Sequence, residues 1–135
     1  MIGADTNILV RAFLEDDPEQ AQKAQQFLEE TSKDKVLFIS SYALLEFAWV
    51  LKVKKFKRSE IYDAIITLTD SPGITIGLRE IVLVAAERYL KGKADFGDYM
   101  ILAEGDYNGS HHLTTFDQLI LSELNTASLP LLKRK

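Results

Sequence analysis

The chain has 135 residues, a length that suits one domain with a single core, and we treat residues 1–135 as that domain. The formal net charge of −4 argues against a surface that coats nucleic acid, and the lack of cysteine excludes disulfides and thiolate metal sites. The longest apolar run, residues 42–51, contains Glu46 and is too short to cross a membrane, so we expect a cytoplasmic protein with no membrane partner.

Predicted strands and helices alternate along the chain. Strands are predicted at residues 2–4, 36–39, 74–76, 111–115 and 128–131. Helices are predicted directly after Asp5, over 17–30 and 42–53, from about Ser59, over 79–90 and 95–107, and briefly after Asp117. Asp17 before a proline suits a helix start, and Gly92 suits a helix end. This alternation predicts an α/β fold, a three-layer α/β/α sandwich with a mostly parallel sheet of about five strands.

Two aspartates come directly after predicted strands. Asp5 follows the first strand, and Asp117 follows the fourth. Ligands of open α/β sheets bind outside the carboxyl ends of the strands, so both carboxylates are candidates for one site. Each of them also suits the cap of the helix that follows, and for Asp117 taken alone that structural role is the better explanation.

Glu46 lies in a predicted helix that is apolar nearly all round. Such a helix is normally buried, and an unpaired buried carboxylate costs several kcal/mol. We therefore expect a partner for Glu46, which is either a proton, a metal ion or an arginine such as Arg11 or Arg79.

Asp95 and Asp98 are three residues apart, a spacing that places both side chains on one face of a helix. Asp95 suits the N-cap of that helix, and Asp98 in its first turn suits the helix dipole. Capping explains Asp98 less well than Asp95, because the residues that follow are apolar and indicate a buried helix.

Together these acids predict a metal site. Carboxylates brought close together repel unless a cation joins them, and oxygen-only ligands suit Mg²⁺ or Mn²⁺. Such sites activate water for attack on a phosphodiester. The histidines, His111 and His112, are expected to have structural roles, with one of them facing the core.

The motifs resemble those of the PIN-domain nucleases, in particular the VapC-like toxin ribonucleases of toxin–antitoxin pairs. The resemblance spreads over the whole chain. Asp5-Thr6-Asn7 is similar to the opening motif of the family, Glu46 lies in the expected apolar helix, residues 94–101 resemble the third acidic motif, and Thr115-Phe116-Asp117 resembles the fourth.

The resemblance implies an acidic quartet that binds Mg²⁺ or Mn²⁺ and carries catalysis, formed by Asp5, Glu46, Asp98 and Asp117, with Asp95 as a secondary candidate. It implies supporting roles for Thr6, Asn7 and Thr115. It further implies an endoribonuclease that acts on RNA, a homodimer and a cognate antitoxin. Two alternatives stay open: an RNA-processing nuclease without an antitoxin, and a non-catalytic nucleic-acid-binding or interaction module whose acids are structural.

A short basic stretch follows the Glu46 helix. It is a weak candidate for RNA contact, because such runs more often form a solvated helix end. Its members are Lys52, Lys54, Lys55, Lys57 and Arg58.

Overall fold

The computed structural model describes residues 1–117, 119–121, 123 and 126–128. The helices are α1 (Thr6–Leu14), α2 (Pro18–Lys33), α3 (Ser41–Val53), α4 (Arg58–Asp70), α5 (Arg79–Lys91) and α6 (Phe96–Tyr107). The strands are β1 (Ile2–Gly3), β2 (Leu37–Ile39), β3 (Ile74–Ile76), β4 (Leu113–Thr115) and β5 (Thr126–Ser128). None of the helices in these ranges is long and apolar enough to span a bilayer.

All strand pairs in the described residues are parallel. β2 lies between β1 and β3, with Leu37 opposite both Ile2 and Ile74. β4 pairs with β5, with Leu113 opposite Thr126. The α/β class and the parallel arrangement predicted from the sequence are confirmed. The five strands form a three-stranded and a two-stranded sheet here, whereas the sequence predicted one sheet of about five.

Local capping signals explain where most helices begin. Asp5 caps α1 by accepting a hydrogen bond from the backbone N–H of Ile8, and Asp17 caps α2 in the same way through Gln20. Each cap satisfies a backbone donor that the first helical turn leaves without a partner. The structure starts α4 with Lys57 as the N-cap, slightly before the predicted Ser59.

The core lies where α3, α4, α5 and α6 pack on one another and where α4 packs on β3. These four helices and β2 all contribute fully buried side chains, represented by Leu37, Leu44, Ile65, Val82 and Tyr99. The candidate acids lie around this core: Asp5 follows β1, Glu46 lies in α3, Asp98 lies in the first turn of α6 and Asp117 follows β4.

The C-terminal expectations are met in part. The last strand is described at residues 126–128, two residues before its predicted start, while 129–131 lie outside the described residues. A short helix was also predicted after Asp117. It falls partly on residues 118, 122, 124 and 125, which the structure does not describe. Both histidines are exposed, so the expectation that one faces the core is wrong, and His111 lies 3.8 Å from the carboxylate of Asp106.

Candidate active site

Thr6 connects the first acid to the second. Its hydroxyl group donates a hydrogen bond of 3.1 Å to Oε2 of Glu46, so the start of α1 is tied to the middle of α3. Asp5 lies next to Thr6 and uses one carboxylate oxygen to cap α1. Thr6 therefore contacts one of the candidate acids, and Asn7 is exposed one residue further along the chain. The supporting roles of both residues stay predictions.

The expectation that Glu46 is buried is wrong, because its side chain is exposed. A helix needs only one face to bury against a core, and α3 uses Leu44, Phe47 and Leu51 for that purpose. Glu46 shares the opposite face with two large residues, Tyr42 and Trp49. Their exposed fractions are 76% and 62%.

Neither arginine considered from the sequence is the partner of Glu46. Arg11 pairs with Asp16, and Arg79 pairs with Asp70 and with its neighbour on α5. Within the described residues, the partner of Glu46 is the hydroxyl group of Thr6.

Asp98 is the acid whose ionisation is most perturbed. Burial raises its pKa, the backbone N–H of Asp95 opposes that effect, and repulsion from the charge of Asp117 raises the pKa further. Its Oδ2 accepts the hydrogen bond from that N–H at 3.1 Å. The charge of Lys52 also lowers the pKa of Asp98. The influence of Asp117 indicates that the third and fourth acids lie close enough to repel each other.

Asp117 lies exposed after β4 and closes a turn. Its Oδ1 accepts from the backbone N–H of Leu119 at 2.9 Å, and its own N–H donates to the hydroxyl group of Thr115 at 2.9 Å. The hydroxyl group of Thr115 thus contacts the backbone of Asp117 and not its carboxylate. The supporting role of Thr115 and the capping of a helix at residue 118, which lies outside the described residues, stay predictions.

The four acids share one pattern. Each uses one oxygen to accept a hydrogen bond from the protein, and in the described residues the second oxygen of each has no such partner. In the same part of the chain, no group of three or more histidine, aspartate or glutamate side chains is close enough to hold a metal ion. The candidate ligands fit Mg²⁺ or Mn²⁺ in chemistry because all of them are carboxylate oxygens. The structure relates the acids in pairs, and the convergence of all four stays a prediction.

Comparison with known proteins decides the family. The model of the PIN domain matches residues 3–123. The chain belongs to the PIN domain family. It is also 25% identical over 114 residues to the VapC ribonuclease of Aquifex aeolicus (strain VF5), a match that covers 83% of this chain and 84% of that protein. No solved structure matches. Every acid discussed above lies within the matched range of this PIN domain.

Asp95 differs from the other acids because a lysine neutralises it. Its Oδ1 forms an ion pair with Nζ of Lys52, which belongs to the last turn of α3. This contact joins residues 43 positions apart, and the periodicity of the sequence contains no signal for it. The pair supports the secondary rank of Asp95 as a metal ligand.

The basic stretch divides by its contacts. Arg58 donates to the carbonyl oxygens of Tyr89 and Ala94 at 2.7–2.9 Å, and its guanidinium lies 3.9 Å above the ring of Tyr89. Its donors are therefore used inside the PIN domain, which weakens it as a candidate for RNA contact. The exposed members of the stretch are Lys52, Lys54, Lys55 and Lys57.

A groove of about 510 Å³ lies between α3 and α6, beside Asp98. Trp49 and Ile101 contribute exposed apolar surface to it, and Lys52 and Asp95 contribute the ion pair. The groove thus brings apolar and charged groups next to the acid with the most perturbed pKa.

The sequence analysis missed Tyr99 and Glu123. The hydroxyl group of Tyr99 accepts two backbone hydrogen bonds from residues 93 and 94 and donates to Glu123. Gly92, which the sequence analysis used only as a helix end, lies against this contact, and no local pattern in the sequence signals it.

Proposed function

We propose that this single domain, residues 1–135, is a cytoplasmic, Mg²⁺- or Mn²⁺-dependent endoribonuclease that hydrolyses RNA phosphodiester bonds. We infer further that it is the toxin of a toxin–antitoxin pair. The observation that carries the proposal is Asp98, which is half-buried, has a raised pKa and is repelled by Asp117 at the carboxyl end of β4. Two acids in that relationship gain from a shared cation. The relative named VapC ribonuclease supports the same function.

The proposed role of each residue follows from its contacts. Asp5, Glu46, Asp98 and Asp117 would hold the cation through their second oxygens. A bound Mg²⁺ or Mn²⁺ supplies a Lewis acid at the scissile phosphate. Thr6 orients the carboxylate of Glu46.

Thr115 and Lys52 contact the acids Asp117 and Asp95, respectively. Thr115 fixes the turn from which Asp117 extends. Lys52 holds Asp95 apart from the quartet, as an ion pair, at the rim of the groove.

Cleavage assays test the proposal directly. We expect Asp5→Asn and Asp98→Asn each to lower turnover by about 100-fold or more, because an amide binds Mg²⁺ poorly and losing a metal ligand removes several kcal/mol of transition-state stabilisation. Asp63→Asn is the matched control, since Asp63 is exposed on α4. Single-stranded and structured RNAs should be assayed with Mg²⁺, with Mn²⁺ and with EDTA. Wild-type turnover in both site variants would refute a metal-dependent nuclease.

One observation favours a second candidate, a non-catalytic module whose acids are structural. Asp5, Asp98 and Asp117 each accept a backbone hydrogen bond at the start of a helix or turn. Such a module would bind RNA or protein without binding a divalent cation. Titration with Mn²⁺ separates the two candidates, because only the nuclease is expected to bind the ion at these acids.

The proposed partners are a second copy of the chain and a cognate antitoxin. The exposed Tyr42 and Trp49 on α3 and Ile101 on α6 support a homodimer, since monomers rarely leave large apolar patches in water. Trp49→Ser is expected to shift sedimentation towards the monomer, and Val84→Ser on α5 serves as the control. A neighbouring gene for a small DNA-binding protein, whose product inhibits cleavage, would distinguish a toxin from an RNA-processing nuclease.

A further inference from the structure

Tyr99 follows Asp98 on α6, and its hydroxyl group makes three hydrogen bonds in the protein interior. The side chain is fully buried. The Oη atom accepts from the backbone N–H groups of Lys93 and Ala94, at 3.1 and 3.3 Å, and it donates to Oε1 of Glu123 at 2.8 Å. The accepted bonds fix the loop that leads into α6. The donated bond attaches Glu123 to the same point.

Gly92 makes this arrangement possible. A Cβ atom at that position would lie 1.8 Å from the Oη of Tyr99 and 2.9 Å from Oε1 of Glu123. The φ of Gly92 is −96°, a value that any residue adopts. The glycine is therefore required by the space that the hydroxyl group and the carboxylate occupy, and not by the backbone conformation of the helix end.

A second set of contacts holds the same loop from its other side. Arg58 donates from Nη2 to the carbonyl oxygen of Ala94 at 2.7 Å and from Nε to that of Tyr89 at 2.9 Å. The ring of Tyr89 packs edge-on against the ring of Tyr99, with 6.5 Å between the ring centroids. The loop before Asp95 is thus bound both through its N–H groups and through a carbonyl group.

Glu123 is also connected through local contacts to Asp117, which lies six residues earlier in the chain. The backbone N–H of Glu123 donates to the carbonyl oxygen of Ile120, whose side chain is buried in the core. Asp117 accepts from the N–H of Leu119, the residue before Ile120. A short series of local contacts therefore connects the carboxylate of Asp117 to the side chain of Glu123.

We propose that Tyr99 and Glu123 are positioning residues of the acidic site, whose hydrogen bond sets the separation of Asp98 and Asp117 and so the affinity of the site for a divalent cation. The inference rests on the proposed function, in which these two acids hold Mg²⁺ or Mn²⁺. Groups that orient metal ligands typically change metal affinity by about 10–100-fold when they are removed. Neither residue is among the proposed ligands, so the expected effect acts through the positions of Asp98 and Asp117.

The test is calorimetric titration with Mn²⁺, supported by the Mn²⁺ dependence of cleavage. Tyr99→Phe keeps the buried ring and removes the hydroxyl group, and we expect the Kd for Mn²⁺ to rise by about tenfold or more. Turnover lost at limiting Mn²⁺ should return at saturating Mn²⁺. Tyr62→Phe is the matched control, because Tyr62 donates an equivalent 2.9 Å bond to Glu87 between α4 and α5, away from the acids.

Variants of Glu123 keep the test decisive if Tyr99→Phe does not fold. Glu123→Leu removes only the bond between the two side chains and should weaken Mn²⁺ binding in the same direction as Tyr99→Phe. The double variant should be no worse than Tyr99→Phe alone, because that single variant already removes the bond to Glu123 together with the two bonds that the hydroxyl group accepts. Glu123→Gln retains an acceptor oxygen and should bind Mn²⁺ as the wild type does.

Three outcomes would overturn the inference. If Tyr99→Phe and Glu123→Leu bind Mn²⁺ like the wild type while Asp98→Asn does not bind, the proposed function stands and the positioning role is wrong. If Glu123→Gln weakens binding as much as Glu123→Leu, the charge and not the hydrogen bond of Glu123 acts on the site. If the wild type itself binds no Mn²⁺, the proposed function fails, and the inference fails with it.

Discussion

Lys52 on the last turn of α3 forms an ion pair with Asp95, the residue that caps α6. The two side chains are 54% and 47% exposed, and exposed ion pairs contribute about 0.2–1 kcal/mol to stability. Lys52 also affects the ionisation of a third residue, Asp98. Burial raises the pKa of Asp98, and Lys52 is a nearby cation that lowers it. The pair therefore links the end of one helix to the ionisation of an acid on another.

Replacing Lys52 with methionine tests that link. We expect Lys52→Met to lower the free energy of unfolding by at most about 1 kcal/mol and to raise the pKa of Asp98, because a favourable charge is removed. The pKa is measured by following the carboxyl carbon of Asp98 by NMR during a pH titration without metal. Lys52→Arg should keep the wild-type pKa, and Lys54→Met is the control for removing a positive charge nearby. An Asp98 pKa that is unmoved in Lys52→Met would contradict the link.

The raised pKa of Asp98 also predicts how stability depends on pH. The folded protein holds the Asp98 proton more tightly than the unfolded chain, whose aspartates titrate near 3.8. The stabilising contribution is therefore complete below that pH and is lost as pH rises through the raised folded pKa. Asp98→Asn lacks this loss and still offers an acceptor to the N–H of Asp95. Urea unfolding in EDTA should show the variant gaining stability over the wild type as pH rises, and a constant difference would contradict this.

Elements set by local chemistry were predictable. Asp17 and its following proline fixed the start of α2, and the apolar run ending at Ile39 fixed β2. The exposure of Glu46 was not predictable, because an apolar sequence does not say which face of a helix another element covers. Gly92 was correctly placed at a helix end, but its reason is the hydroxyl group of Tyr99, which no local pattern contains.

The same limit applies to the site. The candidate acids could be chosen because each follows a strand or opens a helix, or stands alone among apolar residues, which are local signals. The bonds of Lys52 with Asp95 and of Tyr99 with Glu123 join residues 43 and 24 positions apart. Those bonds depend on how the helices pack, which the periodicity of a single helix does not determine.

The exposed lysines between α3 and α4 predict a salt-dependent RNA affinity. If Lys54, Lys55 and Lys57 bind phosphates, replacing all three with glutamine should flatten the plot of log affinity against log salt by up to about 0.7 for each phosphate that is no longer bound. Arg58 is left unchanged because it binds backbone carbonyl groups. The control is a triple variant with the same change of charge elsewhere on the molecule, in which Lys23, Lys33 and Lys35 are replaced. Equal slopes for the two triple variants would assign the stretch to solubility or to a protein partner.

The response of stability to Mg²⁺ tests the acids without substrate. A ligand that binds only the folded state stabilises it by about 2.7 kcal/mol at 100 times its Kd, so Mg²⁺ should raise the melting temperature of the wild type by several degrees relative to EDTA. Asp98→Asn and Glu46→Gln should respond much less, because each removes a ligand while keeping an acceptor for its hydrogen bond. Glu87→Gln is the control. If the acids serve only through the hydrogen bonds that they accept from the protein, neutralising Asp98 should cost roughly 0.3–1 kcal/mol and Mg²⁺ should shift no melting temperature. That result would reassign all four acids to the scaffold.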